Sequence, residues 1–389
     1  MVIFMNNFEP VNIVRCKSYD ECRRAIDEAL GLIGGMERFV HKGDKVLIKP
    51  NLVSKKRPGD PVTTDPMFLK AVIEAVEAAG GNVIIAESPG GPYNQGMLRA
   101  VYTACGVTKA AEDTGAVLNY DIGFTDVEYP EGRTVKGFPI IDPVLDADVI
   151  ISLPKLKTHA MTSYTGAVKN LFGVIPGTHK AELHFRLDDR AAFCSMLVDL
   201  CEYVKPTLSI MDAVIGMEGD GPTSGTERFV GLVMASADPF ILDMAACGVI
   251  GYAPEEVDTV RIAAERGHTP RTTDELTVLG LPINEVMIPD YVKPESHFNL
   301  LKLINLPSAL NARVVSMLSS RPGIDYKKCV SCGECARCCP PKAISMESGA
   351  PVIDRQKCIK CFCCQELCPK SAVFIKRPLL NKFMIKFLK

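Results

Sequence analysis

The 389-residue chain contains no run of eighteen apolar residues, so no membrane-spanning helix is expected. It shows no charged-then-apolar leader with a small-residue cleavage site, and secretion is not expected either. The order GxxxxGK(S/T) is absent, and no GxGxxG opens a helix after a strand, which argues against a phosphate loop and a dinucleotide fingerprint. Basic residues are not interleaved with aromatics as in stacking platforms, so nucleic acid is not an expected partner. Histidine is scarce, with six residues in all. What remains is a composition, 47% hydrophobic and 23% charged, of a soluble globular protein too long for one compact core.

Cysteine, by contrast, is abundant: sixteen residues, ten of them between positions 329 and 368. Cys329-Val-Ser-Cys332-Gly-Glu-Cys335-Ala-Arg-Cys338-Cys339-Pro340 and Cys358-Ile-Lys-Cys361-Phe-Cys363-Cys364-Gln-Glu-Leu-Cys368-Pro369 both read CxxCxxCxxxCP. The pair resembles the runs by which bacterial-type ferredoxins hold two [4Fe-4S] clusters, the fourth cysteine of each run serving the other cluster. The resemblance covers about residues 324 to 376. It implies Cys329, Cys332, Cys335 and Cys368 for one cluster and Cys358, Cys361, Cys364 and Cys339 for the other. Zinc would leave thiols idle, and disulfides would need an oxidising compartment. Cys338 and Cys363 are surplus and are expected to be small buried fillers. Cys16, Cys22, Cys105, Cys194, Cys201 and Cys247 lack ligand spacing and read as ordinary buried thiols. So many thiols fit a reducing cytoplasm, in an organism living with little oxygen.

The net charge of −2 hides an asymmetry. Thirteen Lys/Arg and five Asp/Glu lie from Ile324 onward, a balance of +8, against −10 for the remainder. A basic electron-transfer module on an acidic body suits docking in cis or an acidic electron-donor or acceptor protein; plain solvation is the bland alternative.

Hydrophobic periodicity predicts helices over 18–37, 65–79, 99–115 and 191–204. Strands are expected at Lys45–Lys49, Asn82–Ala86, Ala147–Ser152, Leu208–Asp212, Phe229–Met234, Leu276–Leu279 and Val286–Ile288. The fold expected is α/β, an open and mostly parallel sheet flanked by helices, plus a small C-terminal α+β ferredoxin-like module. The expected domains are 1–300, a linker over 301–323 with a hinge at Arg321-Pro-Gly323, the cluster module over 324–376, and a basic amphipathic tail over 377–389. Ligands of such sheets sit beyond the carboxyl ends of the strands. This directs attention to presumptive loops at Lys49-Pro-Asn51, Glu87-Ser-Pro-Gly-Gly91, Leu153 to His159 and Asp212 to Pro222.

Lys49-Pro-Asn-Leu, Thr64-Asp-Pro, Leu153-Pro-Lys-Leu-Lys-Thr-His159, Gly166-Ala-Val-Lys-Asn-Leu-Phe-Gly173 and the Gly216-to-Gly225 loop resemble the DUF362 family, an uncharacterised α/β domain often fused to ferredoxin modules. The likeness spans about residues 10 to 290. A more distant one, through Asp148-Val-Ile-Ile, His159, Gly166-Ala-Val-Lys169, Pro176-Gly177 and His184, is to nickel-dependent lactate racemase. It implies a cofactor-anchoring lysine and a metal-ligand histidine, although Thr165-Gly166-Ala167 stands where that family has a paired-glycine turn.

His159, His179 and His184 share one segment with Lys155, Lys157, Lys169, Lys180, Arg186 and Arg190. Cations concentrated on one stretch of an acidic body suit an anionic small molecule. Lys155, Lys157 and Lys169 are the expected anion binders, with Lys169 essential to turnover, and His159 or His184 the acid or base. Gly166, Asn170 and Gly173 belong to a segment whose glycines suit close backbone approach to a ligand. A second reading makes His159 and His184 metal ligands, with Asp212, Glu218 or Asp220 as oxygen donors. A third is a solvated lysine-rich loop. Three functions are compatible with this pattern: an oxidoreductase feeding electrons through two clusters to a substrate, or to an additional metal or organic cofactor, in the cleft; a non-enzymatic electron carrier or adaptor; and a metal-dependent isomerase. Two clusters favour a redox step, and the cationic constellation favours an enzyme.

Overall fold

The computed structural model describes residues 8–187, 189–294 and 320–376. Most of the expected linker and the whole basic tail lie outside these residues. The body is built on ten strands of one sheet: β1 (Val11–Arg15), β2 (Lys45–Pro50), β3 (Asn82–Ile85) and β4 (Val117–Leu118), then, after a separate hairpin of β5 (Phe124–Glu128) and β6 (Gly137–Ile141), β7 (Val149–Leu153), β8 (Lys155–His159), β9 (Ser163–Thr165), β10 (Leu208–Glu218), β11 (Thr226–Ser236) and β12 (Val278–Gly280). The main path runs β12-β1-β11-β10-β7-β2-β3-β4, with β8 on β10 and β9 on β8. Pairs along β10-β7-β2-β3-β4 are parallel, whereas β11 is antiparallel to both β1 and β10.

Helices cover both faces because each strand alternates buried side chains between them. Cys22–Gly31 and Pro66–Ala78 bury Ile26, Leu30, Phe68, Val72 and Val76 against one face. Arg190–Val204 and Pro239–Val249 cover the other with Phe193, Leu197, Ile241 and Met244. Helix Pro66–Ala78 starts at a strong signal, Asp65 capping Met67 N–H with Pro66 at the first helical position.

Several expected boundaries move. The helix predicted over 99–115 is two, Gln95–Ala104 and Val107–Thr114, divided at Gly106 with φ +75°. Lys155 to His159 is not a loop but the fully buried strand β8, separated from β7 by Pro154 alone. The strand starting at Leu208 continues through Asp212 to Glu218, because the long β11 pairs with it to the end. Val286–Ile288 is not a strand; Val286 closes the short helix Ile283–Val286.

The small module has two-stranded sheets from β13 (Arg321–Ile324) with β16 (Val373–Lys376) and β14 (Ile344–Glu347) with β15 (Ala350–Ile353). Arg321-Pro-Gly323 is therefore part of a paired strand rather than a hinge. Its two halves repeat an unusual backbone: Ser331 and Lys360 (φ +55° and +59°), Gly333 and Phe362 (+73° and +61°), and Lys342 and Ser371 (+50° and +48°) all occupy the left-handed region. No helix among the described residues is long and apolar enough to cross a membrane.

Candidate functional site

Two small cavities in the module have matching walls. Cys329, Cys332, Cys335 and Cys368 line one, and Cys339, Cys358, Cys361 and Cys364 line the other. Cys339 and Cys368, the fourth cysteine of each run, accept a backbone N–H at 3.2 Å from Ala343 and Ala372. Four soft donors around each cavity, with N–H groups turned to sulfur, fit an iron–sulfur cluster. Among the described residues no three His, Cys, Asp or Glu side chains converge on a single-ion site.

A larger cavity of about 490 Å³ lies where the body meets the module. Its floor is a buried polar knot tied by Asn170. Lys49 Nζ donates to Glu87 Oε2 at 2.5 Å and to Asn170 Oδ1 at 3.3 Å. Asn51 Nδ2 donates to the same Asn170 oxygen, while Asn51 Oδ1 accepts from Lys157 Nζ at 2.7 Å. Asn170 Nδ2 reaches Ser152 Oγ at 2.9 Å. Glycine at 173 is required here, since any side chain would run into the Lys49–Glu87 pair. Glycine at 166 serves a different purpose. The Asp243 carboxylate occupies the space a side chain would need, accepting from Ala167 N–H (2.6 Å), Val168 N–H (2.9 Å) and the Tyr164 hydroxyl (3.0 Å). Asp243 thus fixes the turn that carries Lys169 and Asn170.

The cationic wall comes from Lys169 and from the helix Gly177–Arg186, whose Lys180 and His184, four residues apart, share a face. Lys180 donates to the Ser88 carbonyl. Burial pushes its ammonium down to about 7, with Glu87 pulling the other way. Lys169 has no ion pair among the described residues; its Nζ stands 5.9 Å from the centroid of the Phe172 ring. His184 is 4% exposed, stacks on Phe193 at 4.3 Å between centroids, and leaves Nδ1 without a hydrogen-bond partner among the described residues. Burial holds it near 4, so it is neutral at pH 7. Burial also drives Lys157 well below the usual lysine range. Apolar surface completes the body side through Leu52, Val53, Phe172 and Phe185.

The opposite wall belongs to the module: Cys338, Cys339, Cys363, Glu366 and Leu367. Of the eight cysteines around the small cavities, Cys339 alone reaches it. Cys338 and Cys363, expected as buried fillers, also stand on this wall. Glu366 sits 3.1 Å from His159 Nε2. Burial pushes its carboxyl up, but His159, Lys169 and His184 outweigh that and hold it at about 2.

The structure therefore separates the expected site residues. Lys157, Lys169, Asn170, Gly173 and His184 line the cavity, whereas Lys155, His159 and Gly166 do not. Lys155 is committed to a buried ion pair with Asp212 at 2.7 Å, joined by the Tyr19 hydroxyl. His159 accepts Met161 and Thr162 N–H at Nδ1, which leaves its hydrogen on Nε2 facing Glu366; burial keeps it near 3 and hence neutral. Glu218 accepts Val292 N–H, and the Gly216–Gly225 segment receives the module, Asp220 O and Thr223 Oγ1 meeting Gln365. Sequence reasoning missed Lys49, Glu87 and Glu366. The first two stood in strand-end loops it had marked; nothing in the spacing of Glu366 gave it away.

An α/β body closed by a two-site cysteine module around a cationic cavity defines a fused iron–sulfur protein. The chain matches the domain of unknown function DUF362 over residues 46–248 and the 4Fe-4S dicluster domain over 321–369, and it belongs to the DUF362 family. It is 35% identical over 295 residues to the thylakoid-associated protein sll1697 of Synechocystis sp., covering 73% of this chain and 88% of that protein. The lactate racemase apoprotein of Thermoanaerobacterium thermosaccharolyticum superposes with a TM-score of 0.41 at 13% identity, over 62% of this chain and 57% of that one. The chain thus spans little more than half of the racemase. A Thermotoga maritima protein gives a TM-score of 0.33 at 10% identity, over 58% and 56% of the two chains.

Proposed function

We propose that the chain is an oxidoreductase that holds two [4Fe-4S] clusters, on Cys329, Cys332, Cys335 and Cys368 and on Cys339, Cys358, Cys361 and Cys364, and reduces an organic anion in the 490 Å³ cavity. The observation that carries this reading is Cys339, which stands on the wall of a small four-cysteine cavity and also opposite Lys169 and Lys180. Clusters held on these cysteines would supply electrons one at a time. Lys169 and Lys157 hold the anionic group. Lys180, whose ammonium burial pushes down to about 7, delivers a proton. Two electrons from the module and two protons, each passed on by Lys180 and replaced in turn from solvent, would convert the ligand to its dihydro form. His184 Nδ1 offers a further polar contact. The apolar walls suit a ligand with a hydrophobic body larger than a three-carbon acid. A non-enzymatic carrier would have no use for such a cavity.

The test combines iron analysis with binding. Wild-type protein prepared without oxygen is expected to hold eight iron per chain, Cys332→Ser to lose one cluster by EPR, and Cys338→Ser to lose none. Lys169→Ala is expected to keep all the iron and to bind organic carboxylates or phosphates at least about tenfold more weakly by calorimetry. Unaltered affinity for every anion that the wild type binds would remove the cavity from consideration.

A further inference from the structure

The two halves of the module repeat each other in sequence and backbone, yet the body treats them differently. In the second half, Phe362 stands where the first has Gly333, in the same left-handed conformation. Its ring is 6% exposed and packs with Ala160 of the body and Ile375. Ile359, Lys360 and Cys361 are half-buried around it. The corresponding loop of the first half is open. Tyr326 is 60% exposed, Val330 56%, and Cys332 is the most open of the eight ligand-spaced cysteines. Lys327, Lys328 and Lys370 are exposed near it with no ion pair among the described residues, whereas Lys357 of the second half pairs with Asp354 at 3.6 Å. Val330, Cys332, Lys370 and Pro351, which accepts from the Tyr326 hydroxyl, all border the same small cavity or touch its rim.

Building on the electron-transfer reading above, we propose that this face, Tyr326 to Cys332 with Lys370, is the docking surface for a small acidic one-electron carrier protein. Unneutralised lysines around two exposed apolar side chains complement an acidic rim around an apolar centre, and such charge matching acts mainly on the rate of encounter. In each encounter the carrier is oxidised by one electron and the module reduced by one; two encounters supply the pair that the cavity ligand takes up. The Cys329/Cys332/Cys335/Cys368 site is thus the point of admission. The Cys339-containing site, turned to the cavity, is the point of discharge.

The experiment uses the full-length iron-loaded protein under anaerobic conditions and a chemically reduced small acidic ferredoxin as carrier. Lys327→Glu/Lys328→Glu is compared with wild type and with Lys357→Glu, its counterpart on the second half. Reduction is followed by bleaching of the iron–sulfur absorbance, and carrier affinity is measured by calorimetry. The double variant is expected to be reduced about tenfold more slowly at low salt and to bind the carrier more weakly, with the gap closing as salt rises. Dithionite should reduce all three proteins alike. Equal rates for the double variant and wild type, or an equal loss in Lys357→Glu, overturn the assignment. Anion binding in the cavity is measured separately on the same proteins. Its absence in wild type sinks the substrate reading while leaving the docking result standing; material without iron sinks both.

Discussion

At the scale of single residues, Lys180 makes the cavity sensitive to pH. Its ammonium is pushed down to about 7 chiefly by burial, so it is charged below that pH and neutral above it. An arriving anion favours the charged form. Affinity is therefore expected to fall as pH rises through and beyond 7, with proton uptake on binding near pH 8. Calorimetry in two buffers of different ionisation enthalpy measures that uptake, and Lys180→Gln should abolish it. The dicluster motif was legible because cluster ligation imposes a fixed cysteine spacing on a short stretch. The lysines were only half legible: composition located a cationic segment, but burial decides that Lys155 serves Asp212 while Lys157 turns to Asn51 and the cavity. Histidine gave the least reliable signal. Its ordinary titration near neutrality suggested proton transfer, and desolvation keeps both His159 and His184 neutral.

At the scale of elements, the turn Ala167–Asn170 depends on one carboxylate from a distant helix. Asp243→Ala strands two buried N–H groups and is expected to lower stability by about 3 kcal/mol, read as a lower melting temperature. The same change should weaken anion binding through the displaced Lys169 while leaving the iron content unchanged. Helix Pro66–Ala78 was legible because cap, proline and periodicity agree. Strand β8 was not, because Pro154, two lysines and a histidine within six residues look like a loop until β9, β10, Asn51 and Asp212 satisfy them. The glycine-rich stretch looked like a ligand cradle. One of its glycines instead admits Asp243 and another the Lys49–Glu87 pair.

On the scale of the whole molecule, body and module meet through His159–Glu366, the Gln365 contacts and the Phe362 ring. His159→Ala removes the neutral donor that faces a buried carboxylate. A single calorimetric transition is expected to split into two, the module melting first. The division into an α/β body and a cysteine module was legible from composition and motif. Their mutual orientation was not, because Phe362 reads as one more aromatic until its place opposite Gly333 in the repeat and its burial against Ala160 are seen together.

One side of the 490 Å³ chamber is built from the cysteine module, so the proposed ligand recognition and the proposed electron supply would share a common wall. On the proposed reading, oxygen damage at the Cys339 region would open the chamber and break the electron route in one event, so ligand binding and reduction would be lost together.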